Sequence, residues 1–166
     1  MRKQLFYSGP PIQVLHEDYA KRGRIDESAL VKASYEVRIE TDVERVWQLL
    51  SDARGWERFN PDIHDVHLHT AVTADAPFSW TNGRARIRSK FAVVEPVREI
   101  SWTGVSWGAR AVHRNMLEPT FDGASRIRSE ESMAGPLIVM FLNSKKLKAA
   151  LKKWLTSLKD AAEQRQ

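Results

Sequence analysis

The stretch from Pro136 to Glu163 limits the choice of fold more than any other, because it reads as one long amphipathic helix. It opens on Gly135-Pro136, and proline suits a first helical position, where its missing N–H would have no intrahelical partner. No glycine or proline follows. Leu137, Met140, Phe141, Leu147, Leu151, Trp154, Leu155, Leu158 and Ala162 recur at the i, i+3, i+4 spacing that makes one apolar stripe. Lysines 145, 146, 148, 152, 153 and 159 fall mostly beside or opposite it. At about 1.5 Å per residue such a helix runs roughly 40 Å, which exceeds the structural fill of a small domain. It needs a sheet to lie across.

That sheet is the next expectation, and 166 residues supply it within one domain of the soluble globular class, 42% hydrophobic and 28% charged. With no cysteine, disulfides, thiolate nucleophiles and cysteine-based zinc sites are excluded. Ser8-Gly9-Pro10-Pro11 interrupts the N-terminus before any long apolar run, which argues against a signal peptide. The apolar run from Leu137 to Leu142 is far short of the roughly 20 residues of a membrane span. A cytoplasmic location is expected.

Residues 1–28 differ from the rest. Leu5-Phe6-Tyr7 is a short apolar patch, Pro10-Pro11 a stiff break, and Val14 to Lys21 a short helix. They are expected to form an extension that packs on the domain, 29–166, or on the second subunit of a homodimer, with disorder at Met1 to Gln4 as the plainer alternative. From Ala33 to Glu40 apolar and polar residues alternate, the mark of a half-buried strand. Thr41 or Asp42 then caps a helix whose apolar face is Val43, Val46, Trp47 and Leu50. The aromatic segment from Arg54 to Pro61 reads as a second short helix.

Six strands are expected after it: Val66–Val72, Phe78–Thr81, Arg84–Glu95, Ile100–Trp107, Ala109–Glu118 and Ser125–Met133. The short turns between them, Asn82-Gly83, Gly108 and Asp122-Gly123 included, make neighbours antiparallel. Alternation places Arg84, Arg86, Arg88 and Lys90 on a wet face and Phe91 and Val93 on the inner one. In the last strand Ile127, Ser129, Glu131 and Met133 point inward. If Leu117 stands opposite Ile127, the register puts Asn115 opposite Ser129 and His113 opposite Glu131. Matching phases in this way requires a three-residue loop or a bulge at Asp122-Gly123. One end of the inner face is then apolar and the other polar. Buried polar groups need partners, so they are expected around a cavity, with Trp80, Trp102 and Trp107 nearby.

The segments Val43 to Asp52, Trp56 to Pro61, His113 to Pro119 and Glu131 to Leu137 together resemble the START-related helix-grip superfamily (SRPBCC), within it the group called polyketide cyclase/dehydrase and lipid transport. The resemblance spans roughly Ala33 to Gln164. It implies an α+β fold in which about seven antiparallel strands wrap around a long C-terminal helix, with two short helices after the first strand. It also implies a cavity between sheet and helix for a lipid-, polyketide- or quinone-like molecule, and in some members cyclisation or dehydration. An aromatic residue is commoner in such proteins where this chain has Asn115.

Binding or carriage of a hydrophobic or amphipathic small molecule is the preferred reading, with Trp56, Phe59, Trp80, Phe91, Trp102, Asn115, Ser129, Met133 and Phe141 as ligand contacts. The chief rival is a cyclase/dehydrase-type lyase or isomerase in which His113 and Glu131 are catalytic proton-transfer groups. The third is an interaction module that uses the basic face, joined by Arg110 and Arg114, against a protein, a membrane surface or nucleic acid. Nucleic acid is the least favoured, since no aromatic residues alternate with the arginines. Transient contact with a membrane surface fits the charge of +5. Neither a Gly-rich phosphate loop nor a Gly-x-Ser-x-Gly elbow is present. His64, His67 and His69 invite a metal, yet the expected strand phase turns His67 and His69 to water, so neither metal nor cofactor is expected. Trp56, Phe59 and Pro61 could gate the cavity or simply pack against the sheet's end.

Overall fold

The computed structural model describes residues 7–164. Leu5, Phe6 and the disorder expected at Met1 to Gln4 lie outside them. The chain begins with a helical segment, α1, residues 12–22, in three consecutive pieces Ile12–Val14, Leu15–Tyr19 and Ala20–Arg22. Then come β1 (Val31–Ile39), α2 (Val43–Ser51), a single short turn of helix α3 (Ala53–Arg58), and six strands: β2 (Ile63–His67), β3 (Pro77–Asn82), β4 (Ala85–Glu95), β5 (Glu99–Ser106), β6 (Ala109–Pro119) and β7 (Ser125–Ala134). A short turn α4 (Ile138–Phe141) precedes the long helix α5 (Ser144–Glu163).

The strands form one antiparallel sheet in the order β1-β7-β6-β5-β4-β3-β2. Its concave face holds α5, which runs beside β1: Ser144 Oγ donates to Leu30 O at one end, and Glu163 Oε1 accepts from Glu40 N–H at the other. Leu147, Leu151, Trp154, Leu155, Leu158 and Ala162 are its buried stripe. Asp42 caps α2 by accepting from Arg45 N–H at 2.8 Å, and Asp52 accepts from Gly55 N–H at the start of α3. Both caps satisfy donors that a helix start leaves orphaned.

Two elements depart from the sequence reading. The C-terminal helix is broken. Leu137 adopts a left-handed backbone (φ 69°), α4 lasts one turn, and Leu142 is extended. Asn143 then caps α5 by accepting from Lys146 N–H at 2.9 Å. The apolar stripe continues across the break, but a short amide that can bond the backbone two or three residues on ends one helix and starts another. Replacing Asn143 with Ala should cost about 1 kcal/mol, read as a lower urea midpoint with an unchanged slope. The second departure is β2, which is earlier and shorter than Val66–Val72. Asp65 has φ 54°, the register shifts between His64 and His67, and Val66 N–H donates to Glu57 Oε1.

Residues 7–26 cover part of the convex face. Leu15, Ala20 and Ile25 pack on Ala92 and Val112. Asp26 N–H donates to Ser132 Oγ at 3.0 Å and Arg110 Nη1 to Pro10 O at 2.8 Å. Buried His16 bridges Thr103 Oγ1 (2.8 Å) and Asp75 Oδ1 (2.9 Å). Lys21, then His16, holds the Asp75 carboxyl below the usual carboxylate range.

Candidate functional site

Strands β6 and β7 carry the polar group that the alternation pointed to. Their register sets His113 opposite Glu131, Asn115 opposite Ser129 and Leu117 opposite Ile127. The turn supplies the odd count this phase needs: Thr120 N–H donates to Ala124 O, leaving Phe121, Asp122 and Gly123 as the loop, with Gly123 at φ 84°.

Asn115 is fully buried and central. Its Oδ1 accepts from Ser129 Oγ (2.6 Å) and from Trp154 Nε1 (3.1 Å), while its Nδ2 donates to Ile100 O (3.3 Å). An indole N–H can only donate, so the amide atom it meets must be oxygen. His113 Nε2 faces the same oxygen at 3.2 Å and therefore carries a hydrogen. His113 Nδ1 lies 3.0 Å from Glu131 Oε2, within hydrogen-bond distance of the carboxylate. Both ring nitrogens are thus engaged by protein. Glu131 has one oxygen left, since Oε1 has no partner among the described residues, and its side chain keeps 16% exposure.

Behind this network the space under the C-terminal half of α5 is filled. Trp56, Phe78, Trp80, Phe91, Trp102 and Trp154 pack ring on ring, with centroids from 4.2 Å (Phe78 to Phe91) to 6.5 Å (Trp102 to Trp154). Trp102 stacks on His113 at 4.5 Å. The expected void is therefore absent from this end, because six rings on five elements occupy it. Trp56 is wholly buried with its N–H donated to Leu50 O, an arrangement of core and not of a gate. Phe59 is half-buried, 6.0 Å from Trp154.

Toward the β5–β6 hairpin the inner face opens. Ala33 stands beside Glu131, and Ala111 pairs with Met133. All four are half-buried, as are Tyr35, Ile138 and Val139. Small side chains and a short α4 leave this half of the grip accessible. Phe141, on α4, is 74% exposed. Two clefts of the outer surface, about 480 Å³ around Arg86, Arg88 and Arg110 and about 470 Å³ around Glu40, Arg45 and Glu163, lie elsewhere.

Of the residues named from sequence, the structure brings His113, Asn115, Ser129, Glu131 and Trp102 together, sets Trp56, Trp80 and Phe91 in the packed block behind them, and places Met133 and Phe141 toward the open end. Trp154 escaped notice as a site residue because it reads as one more member of the helix stripe. A buried indole nonetheless needs an acceptor, which was the available signal. Arg114 does not join the basic row, being paired with Glu99 (2.8 Å) and Glu130 (2.5 Å). His64 pairs with Asp65, and the three neighbouring histidines do not converge. Among the described residues the group with metal-ligand spacing is His16, Glu17 and Asp75, and there the Lys21 ammonium already sits on both carboxylates.

Residues 31–163 match the sequence profile described as polyketide cyclase/dehydrase and lipid transport, a span that covers the whole sheet and α5. The chain belongs to that family. No curated protein sequence matches it. Solved structures agree on the START-like helix-grip fold. A hypothetical protein of Helicobacter pylori superposes with a TM-score of 0.74 at 19% identity, covering 83% of this chain and 91% of its own. A START superfamily protein of Mycobacterium smegmatis gives 0.68 at 14%, covering 80% and 97%. A protein of the dynemicin biosynthetic locus gives 0.64 at 18%, and there the match spans 80% of this chain but only 47% of the other. This polyketide cyclase/dehydrase and lipid transport family member thus pairs a shared ligand-binding fold with its own polar network. No helix among its described residues is long and apolar enough to cross a membrane.

Proposed function

We propose that the protein binds and carries an amphipathic small molecule, lipid-, polyketide- or quinone-like, in the open half of the grip, and that Glu131 anchors a hydroxyl or other donor on it. One observation carries this reading: a carboxylate on the inner face has one oxygen committed to His113 and the other without a partner among the described residues. Such an oxygen favours a donor and repels an anionic head group. The half-buried Ala33, Ala111 and Met133 beside it suit an apolar body. Carriage is preferred to catalysis because His113 has no nitrogen free to take a substrate proton, its two positions being spent on Glu131 and Asn115.

The test uses a matched pair, 1-naphthol and its methyl ether, which differ in one donor. Calorimetry is expected to show 1-naphthol binding about 10- to 100-fold tighter, the worth of one hydrogen bond to a charged group. Glu131→Gln should erase most of that difference while thermal unfolding verifies the fold. Equal affinities for the pair, or a difference that survives in Glu131→Gln, would overturn the assignment. Chemical turnover of a bound ligand by the wild type, lost in Glu131→Gln with binding kept, would replace carriage by proton transfer.

A further inference from the structure

Large apolar side chains left in water are distributed unevenly over this molecule. Leu30, Trp107, Phe121, Leu137, Met140 and Phe141 are exposed among the described residues, and all but Phe121 lie at one end of the sheet. The register fixes that end: β1 begins after Leu30, β5 and β6 turn at Trp107-Gly108, and β7 runs out into Gly135 and α4. Gly135 abuts the hairpin so closely that a Cβ there would stand 2.8 Å from Gly108 O. Trp107, 86% exposed, thus sits on a hairpin next to the segment that leads into α4, where Met140 and Phe141 are 70% and 74% exposed. Large apolar side chains gathered in water at one end of a sheet mark an interaction site.

Cations surround the tip. The cleft of about 480 Å³ beside Trp107 is lined by Arg86, Arg88 and Arg110. Among the described residues neither the Arg86 nor the Arg88 guanidinium has a partner, and Arg110 gives only Nη1 to the backbone. On the other flank Lys145, Lys146 and Lys148 are exposed in the first turns of α5, where no acidic residue occurs. Cations at a helix N-terminus oppose the macrodipole, so their placement does not serve the helix. The opposite end of the sheet carries exposed Glu40, Asp42, Glu118 and Asp122.

We infer that this end docks on an anionic lipid bilayer, with Trp107, Met140 and Phe141 entering the interfacial layer and the arginine cleft taking a lipid phosphate. An apolar tip ringed by basic residues suits that partner, since each half of the contact meets its counterpart: acyl boundary below, anionic head groups around. A free anion would engage the cleft but leave the rings in water. The inference rests on the exposed end alone and stands apart from Glu131.

Flotation of the full chain with phosphatidylcholine vesicles, with and without phosphatidylglycerol, tests it. Binding is expected to the phosphatidylglycerol vesicles, weakening as salt is raised. Arg86→Gln with Arg88→Gln should lower partitioning about 20-fold, roughly fivefold per cation. Trp107→Ser with Phe141→Ser should lower it at least tenfold, and Phe121→Ser should leave it unchanged. These side chains are exposed, so all variants are expected to unfold at the wild-type temperature. Absence of vesicle binding, equal binding to both vesicle types, or binding intact in the double variants would overturn the inference. So would a dimer in sedimentation that Trp107→Ser with Phe141→Ser dissolves.

Discussion

Replacing Trp56 with Ala is expected to destabilise the protein by about 4 kcal/mol, a large part of what a single domain has. The ring is wholly buried, and its neighbours stand on separate elements: Phe78 and Trp80 on β3, Trp102 on β5 and Trp154 on α5, with centroids 5.1 to 6.0 Å away. Removing it forfeits the transfer of the ring and leaves a cavity whose walls cannot collapse together without moving sheet against helix. It also strips Leu50 O of its side-chain donor at 3.0 Å. Trp56→Phe keeps much of the apolar contact and loses the N–H, so it should cost about half as much. Urea unfolding measures both. A loss below about 1.5 kcal/mol for Trp56→Ala would mean that the aromatic block relaxes into the gap, and that the space under α5 is less rigidly filled than the ring packing implies.

That block is also a feature that sequence periodicity does not encode. Alternation tells which side chains share a face, and in β6 and β7 it pairs His113 with Glu131 and Asn115 with Ser129 once Leu117 is set opposite Ile127, the register that the Phe121-Asp122-Gly123 loop supplies. It carries no information on volume. Whether Trp56, Trp80, Phe91 and Trp102 line a void or fill it depends on how far the sheet curves and how close α5 approaches, and both are long-range properties. The break at Asn143 was hidden for a different reason. An apolar stripe persists on both sides of it, so periodicity reports one helix where a capping side chain makes two. His16 was invisible as a link, since its partners Thr103 and Asp75 are more than 55 residues away in sequence. The exposed tip could be read only in part: the surplus of apolar residues from Leu137 to Leu142 was plain, but its union with Trp107 is made by the contact of Gly135 with the hairpin.

Replacing Asn115 with Leu, nearly the same shape, is expected to cost about 3–5 kcal/mol. The change adds apolar bulk yet orphans three groups around a fully buried site, the Trp154 indole N–H, the Ser129 hydroxyl and the His113 Nε2–H, while the Ile100 carbonyl keeps its place in the β5–β6 ladder. Each unsatisfied buried group costs about 1–3 kcal/mol, and the sum falls short of three full penalties because the hydroxyl can rotate and the imidazole can lose its Nε2 hydrogen. Loss of stability alone would also follow from a purely structural role, so the decisive readout is the ring itself. Nitrogen NMR of wild-type His113 should show Nε2 protonated, because Asn115 Oδ1 is oriented by an indole that can only donate. In Asn115→Leu the hydrogen on Nε2 loses its acceptor, and the neutral ring should keep its hydrogen on Nδ1, toward Glu131. Asn115 then acts as a positioning residue: by holding the far side of the imidazole it determines how the near side engages the carboxylate, and so which Glu131 oxygen is left to meet a ligand. An unprotonated Nε2 in the wild type would mean that Asn115 Oδ1 does not hold the ring, and the positioning role would fall.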